Sequence, residues 1–281
     1  MAHRVVAVTG ANRGLGLALV RRLASQQLGI TRILLCSRDL QKGIDARGVI
    51  GQVDTDIDVM QLDMDDEESM ERFCSEVKQK YGTLYGLVNN AGMMLNDESM
   101  SKEDALIKTC RTNLFGPISL TEQIIDQGLI VERGKLLFLS STMACTNFIQ
   151  DKKLAQMLST IGSAQDINTA YMQVLEQIRD GKYSSIFIPK FTPSDYNVSK
   201  LLLSKYAKIL SSDTRIIDKD IFVASICPGW CKTDMGGSRA VKTPERGTDI
   251  VADMLDEAND YTAKSSLQGM LVNKIGSGVQ V

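Results

Sequence analysis

The sequence predicts an α/β fold, a doubly wound parallel sheet of about seven strands with helices on both faces. Three observations carry this. The run Arg4-Val5-Val6-Ala7-Val8 has the β-branched, unbroken apolar character of a buried parallel strand. It breaks at Thr9-Gly10-Ala11-Asn12-Arg13-Gly14-Leu15-Gly16, and residues 17–23 then read as a helix. Strand-like and helix-like segments alternate from there almost to the C-terminus, and chemistry-bearing polar residues fall where the strands end.

In chain order, residues 31–37 read as the second strand and 40–46 as a helix weakened by Gly43. Residues 59–62 form a third strand, and 67–80 a helix with Met70, Phe73, Cys74 and Val77 on one face. The fourth strand, 84–88, ends at Asn89-Asn90-Ala91-Gly92. Residues 104–128 are helical, with Gly116-Pro117 a candidate bend. The fifth strand, 135–139, ends at Ser140-Ser141, and 195–210 is the next helix of the alternation. A sixth strand at 221–226 precedes Pro228-Gly229, a late helix spans 244–256, and 269–272 is a seventh strand.

One stretch breaks the alternation. The connection from Ser141 to Tyr196 is far longer than the handful of residues a strand-to-helix link needs. Leu154, Met157, Leu158 and Ile161 share one helical face, and Ile167, Tyr171, Val174, Leu175 and Ile178 another. The reading is one domain, 1–281, with an inserted helical segment at about 146–193: two amphipathic helices, then an irregular stretch through Pro189 and Pro193.

Charge is nearly balanced, with 32 Lys plus Arg against 34 Asp plus Glu, so no global field favours nucleic acid or an anionic membrane. No apolar run is long enough to span a bilayer, and the early first strand leaves no room for a signal peptide. The 6 cysteines show no CxxC pair and read as reduced thiols of a cytoplasmic protein. The single histidine is His3, which excludes a Ser-His-Asp triad and a His-rich metal site.

A strand, a glycine-rich turn and a helix start can hold a phosphate. Glycines let the backbone approach the anion, and the first helical turn offers unpaired N–H groups and a positive dipole end. Tyr196 and Lys200 lie four apart, on one face of a helix. Taken singly, they read as a half-buried helix tyrosine and a solvated charge. With Ser141 at a strand end they read as a catalytic set.

In order, Thr9-Gly-x3-Gly-x-Gly16, Asn89-Asn90-Ala91-Gly92, Asn113, Ser141, Tyr196-x3-Lys200 and Pro228-Gly229 resemble the short-chain dehydrogenase/reductases over nearly the whole chain. Ser140-Ser141-Thr142-Met143, the long insert, Pro228-Gly229-Trp230 and Thr233-Asp234-Met235 resemble the monomeric NADPH-dependent carbonyl reductases, a pattern shared with plant reductases of terpenoid and alkaloid ketones. The resemblance implies a Rossmann fold, NADP(H) as cofactor and a small carbonyl compound as substrate. It gives Tyr196 the part of proton donor and Ser141, the second of its pair, the part of orienting the carbonyl; Asn113 holds a water in a relay to Lys200. A lysine ammonium, with the positive nicotinamide of the oxidised cofactor, would lower the tyrosine's pKa.

Cofactor choice follows from charge. The acidic residue that binds the ribose 2′-hydroxyl in NAD enzymes is replaced here by Cys36 or Ser37, then Arg38, whose guanidinium suits a 2′-phosphate. Arg13 is a second candidate cation, and Asp39 reads as a helix N-cap. The expected cofactor set is Gly10, Asn12, Arg13, Gly14, Leu15, Gly16, Arg38, Asp63, Met64, Asn90, Ala91, Gly92, Tyr196, Lys200, Pro228, Gly229, Cys231, Lys232 and Thr233, with Asp63 and Met64 bracketing adenine by resemblance. Ser141, Met143, Tyr196, Trp230 and Met235 make the expected substrate pocket, with Met93 to Leu95 a candidate lip.

Two alternatives stay open: an enzyme working chiefly as an alcohol dehydrogenase, and a non-catalytic NADP(H) sensor, a class that usually lacks the tyrosine or lysine. The insert's apolar faces need cover. Packed on helices 104–128 and 195–210, they would occupy the surface through which relatives associate, which implies a monomer; a lid over the pocket is the rival.

Overall fold

The first strand, β1 (Val5–Val8), is buried along its whole length. A run with no polar face belongs in mid-sheet with helices on both sides. Accordingly it pairs in parallel with β2 (Arg32–Ser37) on one edge and β4 (Leu84–Asn89) on the other. The computed structural model describes residues 4–95, 97, 99–144, 146, 149–182, 187, 194–274 and 277–279.

Together with β3 (Asp56–Gln61), β5 (Ile130–Leu139), β6 (Phe222–Ile226), β7 (Leu271–Lys274) and β8 (Ser277–Val279), these strands form one sheet in the order β3-β2-β1-β4-β5-β6-β7-β8. All neighbours are parallel except β7 and β8, whose antiparallel hairpin adds an edge strand to the expected set. The order reverses between β1 and β4, which opens a crevice beyond their carboxyl ends.

Alternation along β1 divides the core. Val5 and Ala7 face a layer containing Phe73, Leu106, Leu120 and Leu202, whereas Val6 and Val8 face Leu19, Leu23, Ile250 and Val251. The helices of the first layer are α3 (Glu67–Lys80), α4 (Lys102–Cys110), α5 (Gly116–Asp126), α6 (Lys152–Ser159), α7 (Ala164–Arg179) and α8 (Ser194–Leu210). The second layer contains α1 (Gly14–Ser25) and, late in the chain, α11 (Asp249–Leu255). The remaining helices are α2 (Leu40–Gly48), α9 (Thr214–Ile217) and α10 (Pro244–Gly247).

Several boundaries differ from expectation: β5 starts at Ile130 rather than 135, and β7 spans Leu271–Lys274 rather than 269–272. β3 starts at Asp56 because Asp56 and Asp58 each accept from Arg32 at 2.6 Å; charges at the strand's start obscured it. Helix 244–256 is interrupted at Thr248, whose backbone N–H and hydroxyl both go to the Glu245 carbonyl, tightening the turn. Helix 104–128 changes pitch in a π-helical turn at Arg111–Phe115, just before the candidate bend. Gly116 serves close approach, since a Cβ there would lie 2.3 Å from the Met64 carbonyl oxygen.

The insert does contain two amphipathic helices. Asp151 caps α6 by accepting from Lys153 N and Leu154 N, and Ser163 and Asp166 form a capping box on α7. Leu154 and Leu158 are buried, as are Ile167, Val174, Leu175 and Ile178. α7 lies on α4 and α8. Phe115 meets Tyr171 edge-on at 4.9 Å, Arg179 pairs with Glu103 at 2.8 Å, and Lys205 Nζ donates to Ser159 O at 2.9 Å. The stretch through Pro189 and Pro193 lies outside the described residues, as do His3 and Cys145. Cys36, Cys74, Cys110, Cys227 and Cys231 are free and buried. No described helix is long and apolar enough to cross a membrane.

Candidate active site

The glycine turn is fixed by its neighbour strand. Gly10 and Gly14 have φ of +62° and +56°, a region L side chains rarely adopt. A Cβ on Gly10 would lie 2.8 Å from Ala91 Cα, and one on Gly16 2.5 Å from Asn90 Nδ2. The turn is thus seated on Asn90-Ala91-Gly92. Thr9 Oγ1 accepts from Asn90 N at 3.0 Å and Ala91 N at 2.9 Å, while Asn90 Nδ2 donates to Thr9 O at 2.7 Å and to Gly10 O. Ala11 N donates to Cys36 O at 2.8 Å, joining the turn to the end of β2.

Arg13 is the N-cap residue of α1, and its side chain makes no cap to the helix's first N–H groups. Glycine backbone, uncapped N–H groups and nearby guanidiniums suit a dinucleotide's phosphates, so the residues present fit the cofactor expected from the sequence. At the end of β2, Ser37 Oγ donates to Asp39 O, and Asp39 caps α2 by accepting from Lys42 N at 3.1 Å. Arg38 is exposed beside it. Arg13 pairs with Asp234, Nη1 to Oδ2 at 3.1 Å. Asp63 is half-buried and accepts from Asp65 N, while Met64 is buried beneath Gly116.

The expected catalytic residues converge where β4, β5, the π turn and α8 meet. Lys200 is only 4% exposed; its Nζ donates to Leu139 O at 2.7 Å and lies 5.7 Å from the Tyr196 ring centre. A Cβ on Gly92 would stand 3.4 Å from that Nζ and 3.2 Å from Asn113 Oδ1, so Gly92 leaves room for both. Asn113 is fully buried in the π turn; its Nδ2 donates to Ser199 Oγ at 3.1 Å. Ser140 is buried and spent on structure, donating to Lys200 O and sharing a 2.6 Å bond with Ser204 Oγ. Ser141 is half-buried, and its hydroxyl accepts from Met143 N at 3.1 Å.

Burial decides the titration. It pushes the Lys200 ammonium down to about 8. Burial, reinforced by the neighbouring Cys227 thiol, pushes Tyr196 up to about 12. For Tyr196 burial of the phenol is the largest cause; the lowering expected from the sequence belongs to the lysine acting together with the oxidised nicotinamide.

Beyond β6 the loop folds back on itself. Gly229 has φ of +82°, and Lys242 Nζ donates to Pro228 O at 3.2 Å. Cys231 is buried and bridges to Lys242, whereas Lys232 is exposed. Thr233 is half-buried, 3.4 Å from the place a Gly14 Cβ would take. Trp230 and Met235 are 52% and 39% exposed, and the indole N–H goes to Gly236 O at 2.8 Å. Met143, Met93, Met94 and Leu95 are half-buried.

Sequence reasoning missed Ser199, Ser204, Asp195 and Lys242. Asp195 is buried and accepts from Thr109 Oγ1 at 2.7 Å, tying the start of the Tyr196 helix to α4. A detectable signal existed for the serines: small polar residues on the buried face of an otherwise apolar helix.

Comparison with known proteins agrees with this architecture. The family profile described as short chain dehydrogenase matches residues 4–152. Carbonyl reductase (NADPH) 1 of Rattus norvegicus is 29% identical over 255 residues, covering 87% of this chain and 88% of that protein. Carbonyl reductase (NADPH) 3 of Homo sapiens is 30% identical over 254 residues, covering 88% of each. Among solved structures, salutaridine reductase from Papaver somniferum superposes with a TM-score of 0.78 at 21% identity, over 96% of this chain and 99% of that one. The NADPH-bound carbonyl reductase from chicken fatty liver gives 0.69 at 22% identity, over 100% and 95%. With a glycine turn seated on Asn90-Ala91-Gly92, a buried lysine beneath a tyrosine, and these likenesses, the chain belongs to the short-chain dehydrogenase family of oxidoreductases, and within it is similar to the carbonyl reductases.

Proposed function

We propose that this protein reduces the carbonyl group of aldehydes, ketones or quinones with NADPH, as a monomeric, cytoplasmic, single-domain enzyme acting on small molecules and not on nucleic acid or membranes. The relatives named as NADPH carbonyl reductases support the reaction class. The observation that carries it is the buried Lys200 ammonium, 5.7 Å from the Tyr196 ring and anchored to Leu139 O. A buried cation has no packing value of its own, and its cost is explained by chemistry at the tyrosine.

The bound cofactor would supply the hydride. Gly10, Asn12, Gly14, Leu15 and Gly16 would hold its diphosphate, with Arg38 and Arg13 reading the 2′-phosphate, Asp63 and Met64 the adenine, and Asn90, Ala91, Gly92, Pro228, Gly229, Cys231, Lys232 and Thr233 the remainder. Tyr196, protonated across the physiological range by its raised pKa, gives its hydroxyl proton to the substrate oxygen. The Ser141 hydroxyl donates to the same oxygen and orients it. Lys200 stabilises the tyrosinate left behind and returns a proton to it, and its own proton is renewed through a water near Asn113. Pro117 stands four residues after Asn113 and has no N–H, so the Asn113 carbonyl has no i+4 helical donor.

NADPH oxidation followed against menadione, isatin, aromatic aldehydes and cyclic monoterpene ketones tests the reading. Turnover of quinones, isatin and aldehydes is expected. Turnover confined to the monoterpene ketones would mark a specialised ketone reductase, and tight NADPH binding with no turnover would mark a sensor.

A further inference from the structure

We infer that Asp234 is a specificity-determining residue: it holds Arg13 in an ion pair that the 2′-phosphate of NADPH has to displace, and so moderates preference for NADPH over NADH. The inference rests on the NADP(H) reading and concerns how that preference is set. Two guanidiniums flank the adenosine end of the glycine turn, and they are not equivalent. Arg38 is exposed and makes no side-chain hydrogen bond or ion pair among the described residues, so its charge is available at once. Arg13 is engaged, Nη1 to Asp234 Oδ2 at 3.1 Å.

The pair spans two walls of the crevice. Arg13 is the last residue before Gly14 on the β1 side, and Asp234 follows Thr233, whose methyl carbon lies 3.4 Å from a Gly14 Cβ position, on the loop after β6. Both side chains are open to water, 74% and 81% exposed. An exposed, single-contact pair shifts an equilibrium by no more than about five-fold, so it is weak enough to exchange. A phosphate offers the guanidinium a doubly charged, bidentate partner, a stronger one than this carboxylate oxygen.

The test is Asp234→Asn, which keeps the shape and removes the charge. Kd values for NADPH and NADH are measured by fluorescence titration at low and high salt. NADPH should bind about two- to five-fold more tightly at low salt, NADH should change less, and the gain should shrink at high salt. In an Arg13→Ala background the same substitution should give no preferential gain. An unchanged NADPH-to-NADH ratio, weaker NADPH binding, or a gain that persists without Arg13 would overturn the inference while leaving the cofactor reading intact. A wild-type protein that fails to bind NADPH would overturn the reading itself, and the inference with it.

Discussion

The Asn113 side chain is bonded on both sides to the backbone of one residue: Oδ1 accepts from Met93 N at 2.8 Å, and Nδ2 donates to Met93 O at 2.8 Å. An amide pairing with a peptide unit in this way acts as a missing strand neighbour, and it fixes the chain just after β4. Replacing Asn113 by Ala would leave two backbone groups and the Ser199 hydroxyl without these bonds in a buried place. Urea unfolding should show a loss of about 1–3 kcal/mol, and turnover should fall with it as Gly92 and Met93 drift from the site. Wild-type stability and turnover in the variant would contradict this role.

Lys200 gives the reaction a pH limb. Its folded pKa lies at about 8, below the ordinary lysine value of 10.5, so it is charged below that point and neutral above it. Tyr196, raised to about 12, keeps its proton through the same interval. Carbonyl reduction at saturating NADPH should therefore decline as pH rises through about 8, because the neutral amine no longer stabilises the tyrosinate. Lys200→Met should abolish most turnover and remove the limb. A kcat that stays flat to pH 10 would contradict the assignment.

The fold was legible because β1 is apolar on both faces and its turn glycines have no substitute: Gly10 and Gly16 would collide with Ala91 and Asn90. The pairing of Tyr196 with Lys200 on one helix face was legible through their spacing, whereas Asn113 was offered only by the resemblance. What sequence could not give was the balance of forces. Whether the Lys200 ammonium or the burial of the phenol governs Tyr196 depends on solvent access, which no spacing encodes. The Arg13–Asp234 pair joins residues far apart in sequence, and the π turn around Asn113 depends on packing against Met93 and Met64. The polar start of β3 was missed because its aspartates are matched by Arg32 on the neighbouring strand.

The insert covers the outward face of α4 and α8 with its own apolar residues. That surface is then unavailable to a second copy, and light scattering at micromolar concentration should return a mass near 30.9 kDa. A mass of two or four times that value would contradict it. Deleting residues 150–188 should uncover the face and cause self-association.

The central claim is that Tyr196 donates the proton during carbonyl reduction, and Tyr196→Phe tests it most directly. The ring stays and only the hydroxyl goes, so NADPH should bind as in the wild type by fluorescence titration. A positioned general acid contributes roughly a hundred- to ten-thousand-fold, so turnover of a substrate the wild type reduces should fall by at least about a hundred-fold. A variant that binds NADPH and keeps more than about a tenth of wild-type turnover would show that the proton comes from elsewhere.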